Sequence, residues 1–135
     1  MKSKDLYLKL KAKYPNHLVF IKVGIFYITF DNDSTILNYL YDYKINKDKV
    51  GFPIKLINKM TISLDNMHLN YFIYNSEIEF LDNNFNDNNY LDLLSKSKKN
   101  VYDNKMIDYL IERIKDIILE SPSNYSKIKD FIDEL

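Results

Sequence analysis

Catalytic chemistry has few places to start in this chain. It contains two histidines, His17 and His68, and no cysteine. Without cysteine, disulfides, zinc–thiolate centres and thiol nucleophiles are excluded. Neither histidine has an Asp or Glu at metal-ligand spacing, and no HxxxH or HExxH arrangement occurs. His17 follows Pro15-Asn16 and reads as a solvated loop residue, and His68 reads as a helix-end residue before a strand. Gly24 and Gly51 are the only glycines, too few for a phosphate-cradling loop or a dinucleotide fingerprint. Asp31-Asn32-Asp33 begins like a calcium loop but lacks the glycine at the sixth position and the closing glutamate. The serines have no histidine partner in a recognisable motif. The sequence therefore predicts a protein that is not an enzyme and carries no cofactor or metal.

What the chain offers instead is aromatic surface beside positive charge. It has 12 Tyr and 8 Phe with no Trp. Aromatic faces next to lysines are what stacking on nucleobases requires. Most of these tyrosines are expected at the rim of a small core, with their hydroxyls in water. One stretch stands apart: "FIKVGIFYITF" (Phe20–Phe30) has strand composition, a central Gly24 and the pair Phe26-Tyr27 just after it.

The 135 residues suffice for one domain with a proper core. Lys plus Arg and Asp plus Glu number 19 each, so no global field favours a polyanion. The distribution is uneven, however. Residues 1–24 hold six lysines and one aspartate, and residues 77–92 hold five acids and no base. A basic front and an acidic back orient a polyanion, although such runs are more often solvated faces. The N-terminus alternates charged and apolar residues without the apolar core of a secretory signal. No apolar run approaches the roughly 20 residues that span a bilayer. The expected location is the cytoplasm, with no membrane partner.

Several elements must position these side chains. Leu6, Tyr7, Leu10 and Tyr14 give residues 3–14 one apolar stripe and predict a helix, ended by Pro15. Residues 18–30 predict a buried strand or a strand pair bent at Gly24. "DNDS" (Asp31–Ser34) reads as a turn with a built-in N-cap before a short helix carrying Ile36, Leu37, Leu40 and Tyr41. A loop over Ile45–Ile54 contains a short strand leading into Gly51 and Pro53. A helix follows over Leu56–Leu64, then strands over Leu69–Asn75 and Glu77–Leu81. This order predicts a mixed α/β class, a small mixed sheet flanked by helices. Residues 82–100 read as a polar connection. Met106–Leu119 and Tyr125–Leu135 predict a C-terminal helical hairpin over 101–135, packed on the same domain, with Ser121-Pro122 between its helices.

The N-terminal half resembles the mismatch-recognition domain that opens the MutS family of DNA repair ATPases. That family begins with a helix of the form YLxLKxxxP, then a strand and the signature GDFYExF. The corresponding residues are "YLKLKAKYP" (Tyr7–Pro15) and "LVFIKVGIFYITF" (Leu18–Phe30), followed by the acidic turn. A glycine-x-proline step before a helix and a hydrophobic strand is matched by Gly51–Asn75. Order and spacing agree over about residues 5–75, which implies a domain at 1–81 with this family's fold. The resemblance also implies a mechanism. The first signature aromatic wedges beside a mispaired base from the minor groove, and the glutamate two residues later hydrogen-bonds that base. The wedge position falls on Phe26, the glutamate on Ile28 and the signature aspartate on Ile25. The stacking element is kept and the polar reader is absent. No Walker A motif is present for the ATPase.

Two functions follow as expectations. The first is a DNA-binding module for double-stranded, distorted or mismatched DNA, with Phe26 as wedge and Lys22, Lys9, Lys11 and Lys13 on phosphates. The second is a scaffold that binds a protein partner or a second copy through residues 106–135.

Overall fold

The computed structural model describes residues 2–76 and 78–135, and the side chains of all of these except 78 and 101–104. Helix α1 (Ser3–Lys13) turns its Tyr7 and Leu10 inward and ends before Pro15. The first strand pair is a hairpin, β1 (Leu18–Val23) and β2 (Phe26–Phe30), joined by Gly24-Ile25. Gly24 has φ +61, the left-handed conformation that two-residue hairpin turns demand and that glycine adopts without a Cβ clash. This places the glycine between two strands rather than at a bend within one.

Strand β2 passes straight into helix α2 (Asp31–Tyr41), with no intervening turn. One residue absorbs the change of direction: Asp31 takes φ 49, and its N–H donates to the Asp48 carbonyl at 2.8 Å. Aspartate tolerates this region better than most residues. The predicted capping turn over Asp31–Ser34 is thus the first turn of the helix, which begins without a side-chain cap. Edge strand β3 (Lys49–Pro53) follows, its terminal proline at the sheet margin where no ladder donor is missed. A single 3₁₀ turn (Ile54–Leu56) leads into helix α3 (Ile57–Asn66). Strands β4 (Tyr71–Asn75) and β5 (Ile78–Asp82) close the sheet. The strand expected from Glu77 begins, among the described residues, at Ile78; Glu77 itself lies outside them.

The sheet is mixed, in the order β3-β2-β1-β4-β5. Its parallel pair, β1 with β4, is central, and the other pairs are antiparallel. Side chains alternate between faces. Val19, Ile21, Ile28, Phe30 and Phe72 pack with α1 on one face. Leu18, Phe20, Tyr27, Val50, Phe52, Tyr71 and Ile73 pack with Ile36, Leu37, Met60 and Leu64 on the other. Phe20, with no exposed surface, meets Phe52 edge-on at 5.5 Å.

Residues 82–100 differ from the polar connection expected there. Helix α4 begins at Asp87 and runs to Glu120. Tyr90, Leu93, Leu94 and the fully buried Ser97 recur at helical spacing and pack inward, hidden in the sequence among Asn, Asp and Lys. The chain divides into two compact units, residues 1–99 and 100–135. The second unit comprises the C-terminal portion of α4 and helix α5 (Asn124–Asp133). Within it, the Asn124 side-chain amide donates to the Ile117 carbonyl at 3.2 Å, and Ile114, Ile118, Ile128 and Ile132 line a shared groove of about 270 Å³. No helix among the described residues is long and apolar enough to cross a membrane.

Candidate nucleic-acid interface

Strand β2 carries four of the signature positions, and the structure treats them differently. Tyr27, Ile28 and Phe30 are buried. Phe26 is 43% exposed, beside Val23 at 45% and Ile25 at 69%. The tip of the hairpin is therefore an apolar projection built from three large side chains. Exposed clusters of this kind are costly in water and mark contact surfaces more often than stray hydrophobes do. Phe26 sits opposite Val23 on β1 and Pro53 on β3, and the next row beneath it is Ile21, Ile28 and Gly51.

Ile28 lies directly over Gly51, where an added Cβ would stand 3.4 Å from the Ile28 Cγ2. That is an ordinary contact distance, and Ile28 is buried in the cluster it shares with Tyr7, Leu10, Ile21 and Phe30.

The predicted lysines fall into three positions. Lys22 is exposed and pairs across the strands with Tyr27, one residue from the tip. Lys9 and Lys13 are exposed, four apart on α1, and so share one helix face. That helix packs over the other end of β2, where Tyr7 meets Phe30 at 5.3 Å. Four residues of strand, about 13 Å, separate Phe30 from Phe26. Lys11 is placed otherwise than expected: its ammonium is turned inward, 2.9 Å from Asp33 Oδ1.

That ion pair sits in a buried polar cluster in which both oxygens of the carboxylate are bonded. Asp33 is completely buried. Its carboxylate accepts from Tyr7 Oη at 2.8 Å, Tyr90 Oη at 2.7 Å and the Val19 amide at 3.1 Å, besides both contacts from Lys11 Nζ. Lys11 also donates to the Tyr90 hydroxyl and to the His17 carbonyl, and lies 4.4 Å from the centroid of the Tyr90 ring. Burial pushes the Tyr7 and Tyr90 hydroxyls far above the usual tyrosine range, and the Asp33 charge adds to this. Burial lowers Lys11, and Asp33 opposes that shift. The cluster ties α1, β1, α2 and α4 together.

His17, expected in solvent, is also buried, 5.4 Å from the Tyr14 ring. Burial lowers its pKa, against the Asn83 side chain and Asp87, which raise it. Its sequence neighbours Pro15 and Asn16 gave no hint of this, because the burial comes from segments remote in sequence.

One residue near the tip escaped the sequence reading. The Ile54 amide donates to the Ile25 carbonyl at 3.0 Å, so the exposed Lys55 that follows stands next to the hairpin turn. With described residues, Lys9, Lys13, Lys22 and Lys55 make no ion pair. The Gly51-x-Pro53 step was the available signal, since it fixes where β3 ends against β2. Elsewhere, Lys4 is held by Asp31 and Asp48 and lies 5.0 Å from the centroid of the Phe30 ring. Among the described residues, no group of three His, Cys, Asp or Glu is placed to hold a metal.

No curated protein matches the chain. The family model described as MutS domain I matches residues 3–73, just over half of it. That span covers α1, the hairpin with its exposed aromatic, the Gly51-x-Pro53 step and most of β4. The chain belongs to the MutS domain I family.

Proposed function

We propose that this protein is a non-enzymatic DNA-binding module that inserts Phe26 into duplex DNA at distorted or mismatched sites. MutS domain I is a DNA-recognition domain without catalytic activity, and the hairpin tip supports the same use here. The observation that carries the reading is the exposure of Phe26 within a signature whose other aromatic residues, Tyr27 and Phe30, are buried. A wedge must project, and an aromatic wedge recovers through stacking some of the cost of prying adjacent base pairs apart. In this reading Lys22 and Lys55 flank the wedge and contact the nearest phosphates. Lys9 and Lys13, farther along the sheet, contact phosphates beyond the inserted step. Lys11 holds the scaffold.

The test is a titration of the full chain against matched and distorted duplexes at several salt concentrations. Affinity is expected to fall steeply with salt, as it does when lysines displace counterions. Phe26→Ala should remove the preference for distorted sites while leaving the salt dependence in place. No salt-sensitive binding to any duplex at low ionic strength would refute the proposal.

A second reading has one observation in its favour. In the unit 100–135, Met106, Tyr109, Leu119 and Phe131 are all more than half exposed, which suits docking of a protein partner or a second copy. Its test is the oligomeric state of the full chain compared with a variant carrying Tyr109→Glu and Phe131→Glu. A dimer that these changes dissociate would favour this reading. A monomer unaffected by them would remove the case for self-association.

A further inference from the structure

We infer that the cavity between α3 and strands β4 and β5 is a binding site for a small planar organic cation, one that carries an amidinium or guanidinium group. The site lies on the sheet face opposite Phe26, and it does not depend on the DNA-binding reading.

Alternation along the strands turns Tyr27 and Tyr71 toward the α3 side, with Phe20 and Phe52. Helix α3 leaves part of that face uncovered, and the space between them is a cavity of about 440 Å³, within the size range of small-molecule sites. The helix lines it with Asn58, Thr61 and Asp65, which share one face because they are three and four residues apart. The sheet lines it with Tyr27, Tyr71 and Phe80. Phe80 is 53% exposed, and its ring stacks on Tyr71 at 6.0 Å and 19°. Among the described residues that line the cavity there is no Lys or Arg.

Asp65 is the residue that selects a cation. Its Oδ1 is buried, and no donor among the described residues reaches it. The charge beside it is a second acid, Asp82, which stands opposite Tyr71 on β5. Burial raises the Asp65 pKa and Asp82 raises it further, while a hydrogen bond from Tyr71 opposes the shift. Two carboxylates so placed cannot both ionise without cost. The buried Asp33 has Lys11 as its cation, whereas the Asp65–Asp82 pair has either a shared proton or a cation from outside the chain.

The walls decide which kind of cation fits. Aromatic faces attract positive charge, and a planar amidinium or guanidinium stacks on such rings while giving two N–H groups to one carboxylate. Thr61 Oγ1 donates to the Asn58 carbonyl at 3.0 Å, so its lone pairs are left to accept from the ligand. A metal ion would find two carboxylates and no third acid or histidine among the described residues.

The experiment is an amide NMR titration of the full chain with benzamidine, with neutral benzamide as the matched control. Benzamidine should bind about tenfold tighter than benzamide, as one charge-assisted contact provides, and should shift the amides of Thr61, Asp65 and Phe80. Its affinity should fall as pH is lowered, because the proton that returns to the Asp65–Asp82 pair competes with it. Asp65→Asn should abolish the preference for benzamidine without lowering the urea midpoint, since it relieves a like-charge contact. Phe80→Ala, at an exposed position, should weaken benzamidine binding severalfold, and it carries the test if Asp65→Asn fails to fold. Equal binding of the two probes, binding of neither, or full benzamidine preference in Asp65→Asn overturns the inference. So does full-strength binding in Phe80→Ala. None of these results bears on the DNA-binding reading, which Phe26→Ala tests on the other face.

Discussion

The two ends of β1 invert the usual distribution of polarity. Near its start, at Val19, the protein buries an aspartate and two tyrosine hydroxyls and half-buries the lysine paired with them. At its end and just beyond, it leaves Val23, Ile25 and Phe26 exposed. Scattered surface hydrophobes mean little, whereas buried polar groups and contiguous exposed apolar ones are informative. The two ends inform in opposite ways. Every oxygen of the buried Asp33 carboxylate is bonded within the chain, so that cluster is complete and has nothing left for a ligand. The tip is incomplete, since its apolar surface has no partner in the hairpin itself. Lys11 shows the limit of counting charge: it is one of the basic positions expected on DNA, and its ammonium is turned inward onto Asp33.

The largest way to break this contrast is to remove Asp33. Asp33→Ala leaves Lys11 charged and unpaired in the interior and should cost about 3–5 kcal/mol, read from urea unfolding of the full chain. Phe26→Ala, at the other end of the same strand pair, should change stability by no more than about 0.5 kcal/mol, as surface substitutions do. Equal losses at the two positions would mean that the tip is core and not surface.

A smaller effect comes from pH. His17 has its folded pKa lowered by burial, so the unfolded chain takes up the proton more readily. Its contribution is fully present above the unfolded value of about 6.5 and is lost as pH falls from there toward the folded pKa. Tyr7 and Tyr90 have theirs raised, first by burial and then by Asp33. Their contribution is intact below about pH 10 and is lost as pH rises beyond it. Unfolding midpoints measured across pH should therefore fall on both sides of a plateau. His17→Phe should flatten the acid limb and Tyr90→Phe the alkaline one. An acid limb unchanged in His17→Phe would show that other groups set it.

The smallest expected effect separates the lysines. Lys55→Ala should reduce the slope of log affinity against log salt by about 1, the signature of one lost phosphate contact. Lys55→Ala leaving the slope unchanged would place the DNA away from the 3₁₀ turn and would weaken the assignment of the tip.

Much of the scaffold was legible because it rests on local pattern. The stripe of α1, the glycine of the hairpin turn and the apolar runs of β1, β2 and β4 can be read from spacing alone. What was missed depends on contacts between distant segments. Asp33 looks like a capping residue until Tyr7, Lys11 and Tyr90, from two other helices, converge on it. The start of α4 looks like a linker because Asn, Asp and Lys outnumber the four positions that pack. At the site, Phe26 was legible from its place in the signature. Its exposure beside Ile25 was not, because hairpin tips and buried strands have the same composition. Lys55 was invisible, since only the pairing of β3 with β2 brings it to the turn.

The central claim is that Phe26 unstacks DNA, and base fluorescence reports that event directly. A duplex carrying 2-aminopurine beside an unpaired thymine should brighten when the full protein binds, because a wedge separates the fluorescent base from its neighbour. Phe26→Ala, brought to saturation on the same duplex, should bind without that rise. Binding by the wild-type protein with no change in 2-aminopurine emission, or an equal rise with Phe26→Ala, would contradict the claim.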